Sequence, residues 1–483
     1  MLKSRLCIAF FAFAVGCAPA QKPLTDYVNP MLGTATLWDS VDLGFKPTKR
    51  TWGAEVFPGS SLPNAMVQVS PVTKFHSGAG YQYEDSVIYG FTHTNKGHWN
   101  LCHIPLLPVT GTPTPGDYCS PFSHERESAA PGYYQVFLDR YGVDAQLSST
   151  LRCAFHKYTY PAGAAPAVLA DLQRSNEHVR AWDIRKEGDN VFAGWQQTGE
   201  KMYFYAVANR PVTGIEPVVE GDREVRIVRF GEGDGALELR IGFSFVSEKN
   251  ARENLEAEML GKSFAEVRSE ATATWNDLLG RIRVEGGTER EKGLFYSSLY
   301  RSFLWPALRS DVNGEFTDVD GKVINPGFRY YTGPSYWDDY RNKLILLGML
   351  APDVAADVIS SDVDKGEKRG GFMPTFFHGD HASAFVAGTY LRGNRGFDVN
   401  RAYNLVLRNA TVQGPSRPWL DEYVAKGYIS EMDVENPVTW TVCKAAVTKT
   451  LEYSYDDYAV ALLADALGDK ENRDMLMKRT SNY

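Results

Sequence analysis

The stretch "YYTGPSYWDDYRNKLILLGMLAP", residues 330–352, places Trp337, Asp338, Asp339 and Arg341 directly before an apolar run. An indole offers a flat π-face. A carboxylate accepts hydrogen bonds from a pair of vicinal hydroxyls. An arginine about one helical turn further on reaches the same face or pins the carboxylate. The set suits a ligand that is polar at its rim and apolar on its faces, as a sugar is. The same residues also fit a plainer account, with Asp338 or Asp339 as the acid at a helix start and Trp337 in the core. Residue types alone leave both open.

Three further clusters could do chemistry. In "GGFMPTFFHGDHASAFVAG", His378, Asp380 and His381 fall in a short loop before a helix. Both ligand types suit a divalent ion, but H-x-D-H matches no strong metal signature. Asp380 is a candidate substrate contact, or it caps the helix. In "TLEYSYDDYAV", Glu452 and Asp456 stand at i and i+4 and share a helix face. That is the pattern for paired acid–base work, and equally of an exposed acidic face. In "FTHTNKGHWNLCHIPLLP", His93, His98, Trp99 and His103 read as a loop of the β half, holding a third of the nine histidines. Neutral histidine beside tryptophan is common in sugar sites. GxSxG, P-loop and HExxH motifs are absent, which removes support for serine hydrolases, ATP-users and zinc proteases.

The elements that must position these residues change character near Lys249. Before it, "AMVQVSPVT", "SVIYGFTHT", "YYQVFLDRYGVDAQLSST", "EVRIVRF" and "LELRIGFSFVS" are short β-rich runs separated by Gly, Pro and Asp, so residues 24–248 predict an antiparallel β-sandwich. Residues 249–285 predict a helical linker rich in helix formers. Residues 286–483 predict successive helices, the start of an (α/α)6-type barrel. The last run, "DMLMKRTSNY", still reads as helix without a C-cap glycine. Too few helices follow Glu289 to close such a barrel. The expectation is a chain that is incomplete or closed by a partner, with apolar faces left open to water at about 25 cal/mol per Å².

With 483 residues, 43% hydrophobic and 23% charged, the chain has an ordinary globular composition and room for two or three domains. A net charge of −8 without a basic stripe gives no sign of a nucleic-acid partner. The first 20 residues, "MLKSRLCIAFFAFAVGCAPA", read as a signal peptide. "AVGC" fits a lipoprotein signal that would lipidate Cys17, and "APA" fits ordinary cleavage. Either predicts export, to the periplasm or to the surface of a Gram-negative bacterium with a lipid anchor in the outer membrane. Cys102, Cys119, Cys153 and Cys443 allow one bridge or buried thiols.

In chain order, "FPGSSLPNAMVQVSPVT", "GFTHTN", "FSHERESAAPGYYQVFL", "YWDDYR", "GGFMP", "GNRGFDVNRAY" and "KTLEYSYDDYAVALLADALG" resemble the motifs of glycoside hydrolase family 92, exported α-mannosidases. The resemblance covers both halves. It implies a β-sandwich docked on a catalytic (α/α)6 barrel. It also implies calcium-dependent, inverting release of mannose from α-mannosides, α-1,2-linked or other N-glycan mannose. Calcium, a hard cation, would bind the vicinal hydroxyls of the sugar. Inversion needs an acid and a base carboxyl roughly 6.5–9.5 Å apart with a water between. Carried over, Trp337 and Asp338 match the pair that holds the terminal mannose, with Arg341 in support. His98 and Trp99 stand where the sandwich lines the approach to the leaving sugar. Glu452 and Asp456 become helix-packing residues.

The sequence departs from the family at three places. The loop around His98 differs from the common Ser-Gly-Thr-Gly-Cys pattern. Met373, Pro374, Thr375 and Phe376 replace Leu-Pro-Arg-Trp, losing an arginine. The family's Thr-Glu-Gly-Asn, Asn-Glu-Pro-x-His-His and Asn-Asp-Asp-x-Gly segments do not occur in residues 1–483, so neither catalytic carboxylate and few calcium ligands are expected here. Three accounts follow: a fragment of a longer mannosidase, an inactive carbohydrate-binding or structural envelope protein, or an active glycosidase that uses other carboxylates, such as Asp338 as base.

Overall fold

The computed structural model describes residues 22–36, 44, 54, 56–96, 99–431 and 444–482; for residues 95, 96 and 99 only the backbone is described. The signal segment with Cys17, as well as His98 and Cys443, lies outside the described residues.

The first half is antiparallel β. One seven-stranded sheet runs in the order Ser60–Ser61, Gln68–Val72, Gly90–Thr92, Leu106–Val109, Ala167–Ala170, Arg223–Phe230 and Val212–Glu220. An eight-stranded sheet runs in the order Ala181–Gly188, Val191–Gln197, Lys201–Ala208, Leu237–Ser244, Cys153–Thr159, Val143–Ser149, Tyr133–Leu138 and Glu127–Ala130. Period-2 alternation sets the faces: in Lys201–Ala208, Met202, Phe204, Ala206 and Ala208 are buried and the residues between them are half-buried. Phe91, Leu106 and Ile227 of one sheet share a core with Val136, Leu147 and Phe204 of the other, which makes a sandwich.

The second half is helical: α1 (Glu248–Glu258), α2 (Phe264–Leu279), α3 (Glu289–Ser302), α4 (Tyr336–Asp339), α5 (Lys343–Leu350), α6 (Pro352–Lys368), α7 (Ala382–Leu391), α8 (Val399–Thr411), α9 (Leu420–Lys426), α10 (Ala446–Leu467) and α11 (Lys470–Arg479). Capping boxes start two of them, Ser263 with Glu266 at α2 and Thr288 with Glu291 at α3. The segment expected as a linker packs onto the sandwich. Leu255, Met259, Phe264 and Val267 bury against Tyr133, Cys153 and Phe155. The helical run after Asn342 is divided into two helices meeting at 119°, because Pro352 opens α6 at a position where its missing N–H costs nothing. Among the described residues no single helix is long and apolar enough to cross a membrane. Cys102, Cys119 and Cys153 are free thiols.

Buried polar groups join the two halves. Asn64 Nδ2 donates to Pro306 O at 2.8 Å and Gln68 Nε2 to Leu304 O at 2.7 Å. Arg152 Nε donates to Ser310 O at 2.8 Å. Asp311 accepts from Ser244 Oγ at 2.6 Å and Asn254 Nδ2 at 2.7 Å. Residues 307–309 pair with 330–332 through the Leu308–Tyr331 bridge, and Thr332 N donates to Ala307 O at 2.9 Å. The chain leaving this anchored segment enters α4 within a few residues. The Trp337–Asp338 pair therefore hangs directly from the inter-domain junction.

Candidate functional site

Helix α4 is a single turn. Asp338 N and Asp339 N both donate to Ser335 O, at 2.9 and 3.0 Å. Asp339 is buried, bonded by Ser335 N at 3.2 Å and Lys343 Nζ at 3.2 Å. Tyr336 is buried and its hydroxyl donates to Asp362, which also pairs with Lys365 at 2.8 Å. The two flanking residues thus bolt the turn to α5 and α6. Asp338 is left exposed and Trp337 half-buried. Of the adjacent carboxylates, one is structural and the other faces solvent, a division that the sequence could not make.

Beneath this turn lies a buried network of charges. Tyr340 stacks on His381 with ring centroids 3.9 Å apart and planes 8° apart. The Arg341 guanidinium lies over the same tyrosine, 4.8 Å from its centroid. His381 Nδ1 is 2.9 Å from Asp456 Oδ1, and its Nε2 is 3.1 Å from Glu452 Oε2. Burial disfavours the imidazolium, but the two carboxylates outweigh it and raise the pKa to about 10, so His381 is a cation at neutral pH. Arg417 is fully buried, 2.6 Å from Asp457 and 3.4 Å from Asp380. Arg479 Nε is 2.8 Å from Asp457 Oδ2. Burial raises the pKa of Asp380 and that of Asp457, and the guanidinium of Arg417 opposes the rise in both.

Three expectations change here. Asp380 does not face a ligand: it is fully buried and accepts from Asn409 Nδ2 at 2.9 Å and Ser383 Oγ at 2.8 Å beside Arg417. It supports the site from below, where the sequence suggested contact with substrate. Glu452 and Asp456 are not an exposed acidic face. They turn inward, while the outer side of α10 carries Val447, Leu451, Tyr455 and Tyr458, which are 44–69% exposed. Over the first half of α10 this reverses the usual amphipathic pattern, while Ala459, Val460, Leu463 and Ala464 bury in the ordinary way. His93 and His103 are core residues rather than site residues: His93 Nε2 is 3.0 Å from His156 Nε2, and His103 bonds Thr94 and Thr198. Trp99 lies in the strand Trp99–Asn100.

Sequence reasoning missed the role of the loop 373–380. Asn409 holds Met373 from both sides, at 3.1 and 3.0 Å, and Ser416 Oγ donates to Met373 O at 2.8 Å. At the other end Asp380 N donates to Asp456 Oδ2 at 2.5 Å, and Thr375 Oγ1 donates to Gly379 O at 2.7 Å. Between these anchors Phe377 adopts φ 61°, a left-handed conformation that costs a side-chain-bearing residue about 1–2 kcal/mol. Gly379 has φ 144°, and a Cβ there would sit 2.8 Å from His381 Nε2. The loop sets Phe377 and His378 edge-on to Trp337, with centroids 5.8 and 6.4 Å away. Trp337 Nε1 and His378 Nδ1 are buried without hydrogen-bond partners. An unmet buried group costs about 1–3 kcal/mol. Strain and unpaired nitrogens gather beside the indole of Trp337.

Calcium does not fit the residues described. The carboxylates under α4 are already engaged by His381, Arg417 and Arg479. Among the described residues no group of three His, Cys, Asp or Glu side chains could hold a metal ion.

The structure is thus an antiparallel sandwich docked on helices, with an indole and an exposed carboxylate on a braced turn near the junction. Residues 27–253 match the glycosyl hydrolase family 92 N-terminal domain and residues 250–483 the glycosyl hydrolase family 92 catalytic domain; the chain belongs to that family. It is similar to a family 92 α-mannosidase of Bacteroides thetaiotaomicron, at TM-score 0.84 and 26% identity over 96% of this chain and 65% of that one. The latter has also been solved in complex with mannoimidazole. An inverting mannosidase of the family from the same organism shares the fold at TM-score 0.81 and 24% identity, over 95% of this chain and 65% of its own. An uncharacterised secreted glycosidase of Arthroderma benhamiae is 24% identical over 95% of this chain and 61% of its own length. The chain thus spans less than two thirds of each of these relatives.

Proposed function

We propose that the Trp337–Asp338 surface holds the terminal mannose of an α-mannoside, such as an N-glycan arm, and that the chain serves an exo-α-mannosidase that works with inversion. The observation that carries this is the braced turn. A half-buried indole and an exposed carboxylate project from it, while Asp339 pairs with Lys343 and His381 with Asp456 beneath it. Trp337 would stack on the ring, Asp338 would accept from vicinal hydroxyls, and Arg341 would steady the turn through Tyr340. The name of the 26%-identical relative supports mannose as the sugar. Calcium dependence rests on the family alone. Export, with Cys17 lipidated or the signal cleaved, rests on the N-terminal sequence.

The test is titration of the chain with methyl α-mannoside, followed by tryptophan fluorescence, alongside assays of mannose release with and without calcium. Saturable binding lost in both Trp337→Ala and Asp338→Asn supports the reading; binding unaffected by either variant ends it. A second reading, sugar binding without turnover, is supported by the pairing of Glu452, Asp456, Asp380 and Asp457 with cations. Binding without release, in the presence of calcium, would select it. Release abolished by Asp338→Asn would instead make Asp338 a catalytic base.

A further inference from the structure

We propose that His378 decides which sugar this site accepts: one ring hydroxyl is held between Trp337 Nε1, which donates to it, and His378 Nδ1, which accepts from it. The inference rests on the reading of Trp337 and Asp338 as a sugar site. Its basis is a complementary pair of unmet groups. The indole N–H can only donate. His378 is half-buried, and burial together with the nearby Lys449 cation lowers its pKa, keeping the ring neutral and able to accept. The tautomer required carries its proton on Nε2. The rings stand nearly perpendicular, 79° apart, at 6.4 Å between centroids. A hydroxyl both accepts and donates, so a single one can answer the indole N–H and the imidazole nitrogen together.

The surrounding loop fits a part that yields on binding. Its ends are fixed through Asn409 and Asp456, while Phe376 and Phe377 between them are 39% and 37% exposed. Both nitrogens are shielded from solvent. The hydroxyl therefore enters as the loop gives way at Phe377, the residue held in a left-handed conformation. A site that must pair buried polar groups with a hydroxyl rejects an analogue lacking it more sharply than an apolar pocket would.

The experiment is calorimetric titration of the whole chain with methyl α-mannoside and each of its monodeoxy derivatives. Wild type, His378→Phe and Trp337→Phe are compared, the latter keeping the aromatic face but losing the N–H. One derivative should bind wild type at least about ten-fold more weakly than the parent sugar, the loss expected of one unmet buried group. Each variant should weaken the parent by a similar factor and leave that derivative unchanged, and His378→Gln, whose amide oxygen accepts, should recover part of the loss. Melting curves matched to wild type show that the variants fold. The proposal is overturned if His378→Phe binds the parent as wild type does, or weakens all the sugars equally. If Asp338→Asn abolishes binding while His378→Phe does nothing, this inference alone falls. If wild type binds no mannoside, the underlying reading falls with it.

Discussion

Replacing His381 by glutamine tests whether the turn that carries Trp337 rests on a buried cation. In the wild type the imidazole sits between Asp456 and Glu452 and its pKa rises from 6.5 to about 10. Each pKa unit corresponds to about 1.4 kcal/mol, so the clamp contributes on the order of 5 kcal/mol. The sign follows from linkage. A group whose folded pKa is raised gives its full stabilisation below the unfolded value of 6.5 and loses it as pH rises toward 10. Between those limits the folded state binds more protons, and unfolding free energy falls by up to about 1.4 kcal/mol per pH unit. Glutamine cannot titrate. The assay is urea unfolding of wild type and His381→Gln from pH 6 to pH 10, taken as the difference so that other groups cancel. The variant should be less stable by several kcal/mol at pH 6, with the gap closing as pH approaches 10. Loss of the Tyr340 stack would add about 0.5–1.5 kcal/mol at every pH. A pH-independent gap would refute the cation clamp and leave only packing.

Other consequences can be measured in the same way. His93 and His156 are fully buried, and burial lowers both pKa values, that of His93 to about 3. Their stabilisation is complete above pH 6.5 and is lost as pH falls below it, for His93 over the range down to about 3, by up to about 1.4 kcal/mol per unit for each, so His156→Leu should flatten the acid limb of the stability curve. Arg417→Met leaves Asp380 and Asp457 short of a partner in the interior and should cost about 3–5 kcal/mol by urea unfolding, less at acid pH where the carboxyls protonate. A cost below about 1 kcal/mol would show that the pair is not buried as described. At Phe377, glycine should be more stable than alanine by about 1 kcal/mol, because the left-handed backbone penalises a Cβ. Equal melting temperatures would contradict the φ of 61°.

Much of the architecture was legible from local pattern. Alternation in runs such as "EVRIVRF" and "LELRIGFSFVS" marked strands because one sheet face is buried. Helical periodicity after Lys249 marked helices, and the ordered motifs identified the family. Less legible were short elements. The single turn of α4 and the seven residues of α9 are too brief for periodicity to show.

What the sequence determined by itself was that Trp337, Asp338, Asp339 and Arg341 are neighbours, and that Glu452 and Asp456 share a helix face. Spacing along one element is enough for that. Which carboxylate would be spent on structure depended on groups far away in the chain. Glu452 and Asp456 were claimed by His381, and Asp380 by Asn409 and Arg417, whereas Asp339 found Lys343 only four residues on. A buried charge must find its counter-charge, and that pairing is made only when distant helices meet. Tertiary structure therefore decided that Asp338 alone of this group faces solvent, that His381 braces the turn, and that His378 stands edge-on to Trp337 with a nitrogen unpaired.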